Sequence, residues 1–218
     1  MTILALEFSS PQRSVALWRA GGRRDVTEAM ETGGRATSTF AMIEQVLSQA
    51  GIEREQIDTL AVGVGPGSYA GIRAAIALAQ GWQLARGTKL LGVRSADCLA
   101  AQARAENIFG RVGVVIDAQR NEYYLATYEI TAEGWHEVEP LKIIPTAEVQ
   151  AQAHGGGILI GPEVTCRVSP MRTLFPRAGT LAELAAGCGS FTVGEKLEPI
   201  YLRETSFVKA AAALGLPS

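Results

Sequence analysis

Residues 3–8, Ile-Leu-Ala-Leu-Glu-Phe, are almost continuously apolar, the pattern of a buried strand. Ser9-Ser-Pro-Gln12 reads as a turn, 13–20 as a second strand, and Gly21-Gly22 as a hairpin turn into a third antiparallel strand. The period then changes. Behind a helix cap at Thr37 or Ser38, the apolar residues Phe40, Ile43, Val46, Leu47 and Ala50 recur at helical spacing until Gly51 stops the helix. A strand over 59–64, a glycine-rich stretch over 65–71, a helix over 71–86 ended by Gly87, a strand over 89–93 and a helix from Ser95 follow.

The same order restarts at Val112. A strand to Asp117, a polar turn over 118–121, a strand over 122–130, a turn over 132–134 and a strand over 135–144 precede a helix over 146–153, a strand over 157–160 and further helix. Each half opens on a strand ending in an acid, Glu7 or Asp117, then a polar turn containing Gln-Arg, then a second strand. This repetition predicts an α/β protein of two related lobes, 1–108 and 109–218, each of βββαβα type. That arrangement matches the two-lobed actin-like, RNase H-like (ASKHA) group at the level of fold.

Charge narrows the chemistry. Twenty basic against 22 acidic residues leave a net charge of -2, the wrong sign for a chain that must neutralise many RNA phosphates unaided. Arg19, Arg23, Arg24 and Arg35 form a basic run near the first hairpin, which reads as a solvated face or as an RNA contact inside a larger assembly. Cys98, Cys166 and Cys188 are odd in number and far apart, so they read as reduced, mostly core cysteines. The start of the chain has no basic leader and no long apolar run occurs, so a cytoplasmic protein without a membrane segment is expected.

Candidate chemistry is sparse. The only histidines, His136 and His154, lack metal-ligand spacing, so no metal is expected, and no Gly-x-Ser-x-Gly elbow occurs. The segment Gly65-Pro-Gly-Ser-Tyr-Ala-Gly-Ile-Arg73 joins a strand to a helix start, where free N–H groups hold anions, yet no Gly-Lys-Ser/Thr follows. Two other readings stay open: a tight turn leading a small-residue helix into the protein's own core, or a helix that, flanked by Trp82 and Gln83, meets another protein. Arg73 sits in the first turn, against the helix dipole, and predicts a partner carboxylate.

Glu7, Ser9, Ser10, Asp117, Gln119 and Arg120 occupy the positions where actin-like ATPases hold magnesium and phosphates. Their two loops contain no glycine, and Pro11 lacks a donor, so at most weak ATP or ADP binding is expected and no cofactor. The plainer reading makes Glu7 and Asp117 ordinary strand-end acids meeting solvent or an arginine, such as Arg13 or Arg120. A weak ATPase or phosphotransferase is the alternative enzyme reading. A glycoprotease-like activity fits poorly with two histidines, and a nicotinamide enzyme with Arg94 on a ribose phosphate is remote because Pro66 interrupts the fingerprint.

Four segments, 3–10, 63–73, 115–120 (Val-Ile-Asp-Ala-Gln-Arg) and 199–203 (Pro-Ile-Tyr-Leu-Arg), closely resemble the TsaB (YeaZ) family in order and spacing, more strongly up to about residue 130 than over 145–197. The resemblance implies an actin-like subunit without catalysis of its own. It implies pairing with TsaD, which makes threonylcarbamoyladenosine in tRNA, and with the ATPase TsaE, and tRNA contact only through the complex. It also implies a homodimer when the chain is alone and an interface on the glycine-rich helix, which maps to Gly65, Pro66, Gly67, Ser68, Gly71, Arg73 and Trp82. Glu7 stands where most members have Asp, Ala70 where Thr is usual, and 34–38 where a His-Ser-Glu-like stretch is common.

Overall fold

The computed structural model describes residues 1–20, 25–32, 39–162, 168–188, 191–192 and 194–202. Strands β1 (Thr2–Glu7), β2 (Gln12–Arg19), β3 (Asp25–Thr32), β4 (Thr59–Gly63) and β5 (Lys89–Val93) form one sheet in the order β3-β2-β1-β4-β5. β1 pairs antiparallel with β2 and parallel with β4, and every residue of β1 is buried because both faces of this central strand are covered. Leu4 and Leu6 face helices α1 (Thr39–Ala50) and α2 (Tyr69–Arg86), whereas Ile3 and Ala5 face helix α5 (Ala178–Ala186).

Strands β6 (Gly110–Asp117), β7 (Glu122–Ile130), β8 (Trp135–Pro145), β9 (Ile158–Gly161) and β10 (Arg172–Thr173) form the second sheet in the order β10-β9-β6-β7-β8. Here β6 is central, antiparallel to β7 and parallel to β9, so the second sheet repeats the first strand for strand. The duplicated, two-lobed α/β actin-like architecture is therefore present. Helix α4 (Thr146–His154) covers one face through Val149 and Ala153.

The other face is covered by a helix from the first half. Helix α3 (Ser95–Ala105) leaves β5 yet packs Ala96, Leu99, Ala100 and Ala103 onto Val112, Val114 and Tyr128 of the second sheet. In return α5, which follows β10, packs Leu181, Ala182 and Ala185 onto the first sheet. The two lobes thus exchange helices, and the apolar contacts between them are core contacts.

An ion-pair cluster closes the same boundary. Arg94, just ahead of α3, donates from Nε and Nη2 to Asp97 at 2.8 and 2.6 Å and from Nη1 to Glu137 on β8 at 3.0 Å. The Tyr128 hydroxyl donates to Asp97 at 2.8 Å, and burial pushes its acidity well down, so it stays a donor. Arg94 is occupied by two carboxylates, which removes it as a ribose-phosphate ligand. Tyr128→Phe is expected to cost about 2 kcal/mol, the net worth of one hydrogen bond to a carboxylate, measurable by urea unfolding.

Several sequence expectations need correction. Phe40 is 62 % exposed, and Met42 takes the inward place beside Ile43, Val46 and Leu47. Helix α2 begins at Tyr69, not Gly71, because Ser68 caps it. Cys98 is buried but Cys188 is exposed. The hairpin turn at Gly21-Gly22, the cap at Thr37 or Ser38, Cys166, Arg23, Arg24, Arg35 and Arg203 lie outside the described residues. Among the described residues no helix is long and apolar enough to cross a membrane.

Candidate functional site

β1 delivers Glu7 to the edge of the first lobe, where solvent or an arginine was the expectation. The structure instead buries the carboxyl completely. Its Oε1 accepts from the Ser9 N–H at 2.8 Å and its Oε2 from the Ser95 hydroxyl at 3.0 Å. Room for it comes from Gly63 on the neighbouring strand, where a methyl group would sit 2.1 Å from Oε2. Burial raises the Glu7 pKa, and the bonds from Ser9 and Ser95 pull it back only in part. Arg13 lies over the Phe8 ring, 5.7 Å from its centroid, and Ser10 Oγ donates to the Gln12 carbonyl at 2.8 Å.

The corresponding loop of the second lobe is built on Asp117. Its carboxylate accepts from the Gln119 backbone N–H and from Gln119 Nε2, both at 2.8 Å. Gln119, Arg120 and Asn121 have φ of 64°, 59° and 61°, three successive left-handed residues without a glycine, each of which costs about 1 kcal/mol. Thr146 holds the strained turn by donating its N–H and hydroxyl to the Asn121 carbonyl at 3.1 and 2.8 Å. Arg120 is exposed at the tip.

The glycine-rich segment is fastened to the first of these loops. The Ser68 N–H donates to the Ser9 carbonyl at 2.7 Å, and at Gly67, φ 147°, a methyl group would lie 2.1 Å from that oxygen. At Gly71 it would lie 2.0 Å from the Phe8 carbonyl oxygen. The Ser68 hydroxyl accepts from the Gly71 N–H at 3.3 Å, and Gly65 and Pro66 are buried beneath. Close backbone approach therefore accounts for these glycines.

The rest of α2 has two faces. Ile72, Ala75, Ile76 and Ala79 point into the first core, and Trp82 packs half-buried against it, with no acceptor for its indole N–H among the described residues. The opposite face carries Ala70, Arg73, Ala74, Ala77, Gly81, Ala85 and Leu84, all exposed, Leu84 at 89 %. Among the described residues Arg73 does not meet the carboxylate that its position predicts. Among the described residues its partner is Tyr69, whose hydroxyl accepts from Nη1 and whose ring centroid lies 5.1 Å from the guanidinium. Tyr69 in turn leans on Tyr201 at 5.2 Å between ring centroids.

Among the described residues no group of three or more His, Cys, Asp and Glu side chains could hold a metal ion. His136 lies on β8 and His154 at the end of α4.

A family model described as TsaD, tRNA N6-adenosine threonylcarbamoyltransferase, matches residues 36–210. The chain is 30% identical over 224 aligned positions to the tRNA threonylcarbamoyladenosine biosynthesis protein TsaB of Escherichia coli (strain K12), covering 93% of this chain and 95% of that protein. This chain belongs to the TsaB/YeaZ family. A second TsaB, from Haemophilus influenzae, is 31% identical over 130 positions, 58% of this chain and 53% of that protein. The solved structure of YeaZ from Pseudomonas aeruginosa superimposes with a TM-score of 0.77 at 28% identity, covering 92% of this chain and 99% of the other.

Sequence reasoning missed Ser95, Gly63, Tyr69, Leu84 and Tyr201. Leu84 carried a readable signal, since it falls on the same helical face as Ala77 and Gly81. Ser95 and Gly63 carried none, because their role depends on a side chain from a distant strand.

Proposed function

We propose that this chain is the non-catalytic assembly subunit of the machinery that makes threonylcarbamoyladenosine in tRNA, acting in the cytoplasm and seating a TsaD-type catalytic subunit on α2. The single observation that carries the reading is the outward face of α2. A row of alanines and a glycine with a leucine left 89 % exposed lets another backbone come close, and a lone helix of that kind gains nothing from solvent. Family membership supplies the setting, because the Escherichia coli relative that matches 93% of this chain is named for this biosynthesis. A TsaE-type ATPase would join the pair, and tRNA would be reached only through the assembly, in keeping with the net charge of -2.

The reading includes weak nucleotide binding by this chain alone. In actin-like ATPases the loops after the first strand of each lobe offer backbone N–H groups to phosphate. Here the Ser9 N–H is given to Glu7 and the Gln119 N–H to Asp117, so both donors are already used. Calorimetric titration with ATP is expected to give a Kd above about 1 mM, and a micromolar value would favour the ATPase alternative.

The test of the assembly role is light scattering on a sizing column of the chain mixed with the TsaD-type subunit of the same organism. A heterodimer is expected, and Ala77→Glu, which puts a charge at the middle of the exposed face, is expected to weaken it about thirtyfold. A strain lacking this chain that keeps normal threonylcarbamoyladenosine would overturn the proposal.

A further inference from the structure

The C-terminal part of the described chain returns to α2 and is held there at successive points. The Gly194 N–H donates to Gln83 Oε1 at 2.9 Å, and Gln80 Nε2 donates to the Gly194 carbonyl at 2.8 Å. Leu197 is buried in the first core, over a place on β5 where Gly92 leaves it room. The Ile200 N–H then donates to the Val64 carbonyl at 2.9 Å, which sets Tyr201 beside Tyr69 at the start of α2. So much anchoring delivers two tyrosines that remain 56 % and 43 % exposed.

Arg73 stands next to them. The first turn of α2 contains no acidic residue, so the cation faces the positive end of the helix dipole with only the Tyr69 side chain for company among the described residues. Among the described residues this arrangement is unfavourable on two counts, exposed aromatic surface and a cation with no carboxylate beside it. Both are relieved by a partner that covers the rings and presents an anion. Two tyrosines and an arginine at one end of an apolar helix face are also the residue types that dominate interface energetics.

We infer that Tyr69, Arg73 and Tyr201 form the anchor of the α2 interface and receive an aspartate or glutamate side chain from a helix of the TsaD-type subunit, with residues 194–202 acting as part of the partner surface. The inference rests on the assembly reading above and adds the chemistry that the partner must bring. Charge complementarity selects a carboxylate, and the small side chains of Ala70, Ala74 and Ala77 select a helix that approaches closely along the same line. Residues 194–202 explain why the anchor is rigid: Tyr201 is positioned by bonds to α2 and to Val64, just past β4, so little ordering remains to be done on association.

The experiment measures the Kd of the complex with the TsaD-type subunit for the parent, Arg73→Glu, Arg73→Gln, Tyr201→Ala and Ala77→Glu, at about 0.05 and about 0.5 M NaCl. These positions are exposed or half-exposed, so each variant is expected to melt close to the parent. Arg73→Glu is expected to weaken binding about a hundredfold, Arg73→Gln and Tyr201→Ala about tenfold each, and Arg73→Gln to reduce the salt dependence. If Ala77→Glu weakens the complex while the Arg73 and Tyr201 variants bind as the parent does, the anchor is overturned and the assembly reading stands. If Ala77→Glu also binds as the parent does, or if the face only joins two copies of this chain, both are overturned.

Discussion

Gly71→Ala is expected to destabilise the protein by about 3–4 kcal/mol, whereas Gly81→Ala on the same helix is expected to stabilise it by up to about 1 kcal/mol. The opposite signs follow from what a new methyl group meets. At Gly71 it would lie 2.0 Å from the Phe8 carbonyl oxygen, a backbone atom at the end of the central strand, which cannot swing aside as a flexible side chain can. The whole start of α2 would have to move off β1 and break the Ser68–Ser9 bond. At Gly81 nothing lies within 4 Å, and only the helix-forming advantage of alanine over glycine remains. In a chain of 218 residues the loss at Gly71 corresponds to a melting temperature lower by about 10 °C. Thermal unfolding of the two variants side by side checks this, and a Gly71→Ala protein melting within about 2 °C of the parent would refute the close approach.

Glu7→Ala is expected to cost about 3 kcal/mol, while Glu7→Gln is expected to fold normally and to remove a pH dependence present in the parent. The alanine variant leaves a cavity and strips the acceptors from the Ser9 N–H and the Ser95 hydroxyl, both inside the protein. Glutamine fills the same volume, accepts from Ser9 with its amide oxygen and donates its amide N–H to Ser95 Oγ. The sign of the pH effect follows from the raised pKa, whose main cause is burial. The folded protein holds the Glu7 proton more firmly than the unfolded chain does. Stability from this group is therefore complete below the ordinary glutamate pKa and is lost as pH rises through the higher folded value. Urea unfolding of parent and Glu7→Gln from about pH 4 to about pH 8 should show the parent losing ground to the variant as pH rises. A difference that stays constant across the series would mean that the Glu7 carboxyl is not raised.

The two results bear on one region, since Phe8 and Ser9 follow Glu7 directly and carry the carbonyls against which the glycine-rich segment packs. This junction joins the first strand, the start of α2 and the start of α3. Disturbing it moves the outward face of α2, where the proposal seats the partner, without touching that face. Variants at Gly71 or Glu7 that still fold are therefore a poor guide to which residues contact a partner, and the exposed positions Ala77 and Arg73 are the informative ones.

Local pattern determined much of this protein. The apolar run of β1, the helical spacing from Ile43 to Leu47, the glycine stops at Gly51 and Gly87, and the restart at Val112 all depend on neighbours a few residues apart, and such signals survive in a linear reading. The resemblance carried by 3–10, 63–73 and 115–120 was likewise legible. Tertiary structure alone decided the rest. Phe40 fits an apolar helical face, but its angle on α1 turns it to solvent. Glu7 reads as a surface acid because nothing nearby announces the notch at Gly63, on β4, or the hydroxyl of Ser95, which comes from another element. Arg73 predicts a carboxylate, yet an aromatic ring four residues back takes that place. The exchange of α3 and α5 between the lobes is equally invisible in sequence, since an amphipathic helix records that it has an apolar face and not which sheet will cover it.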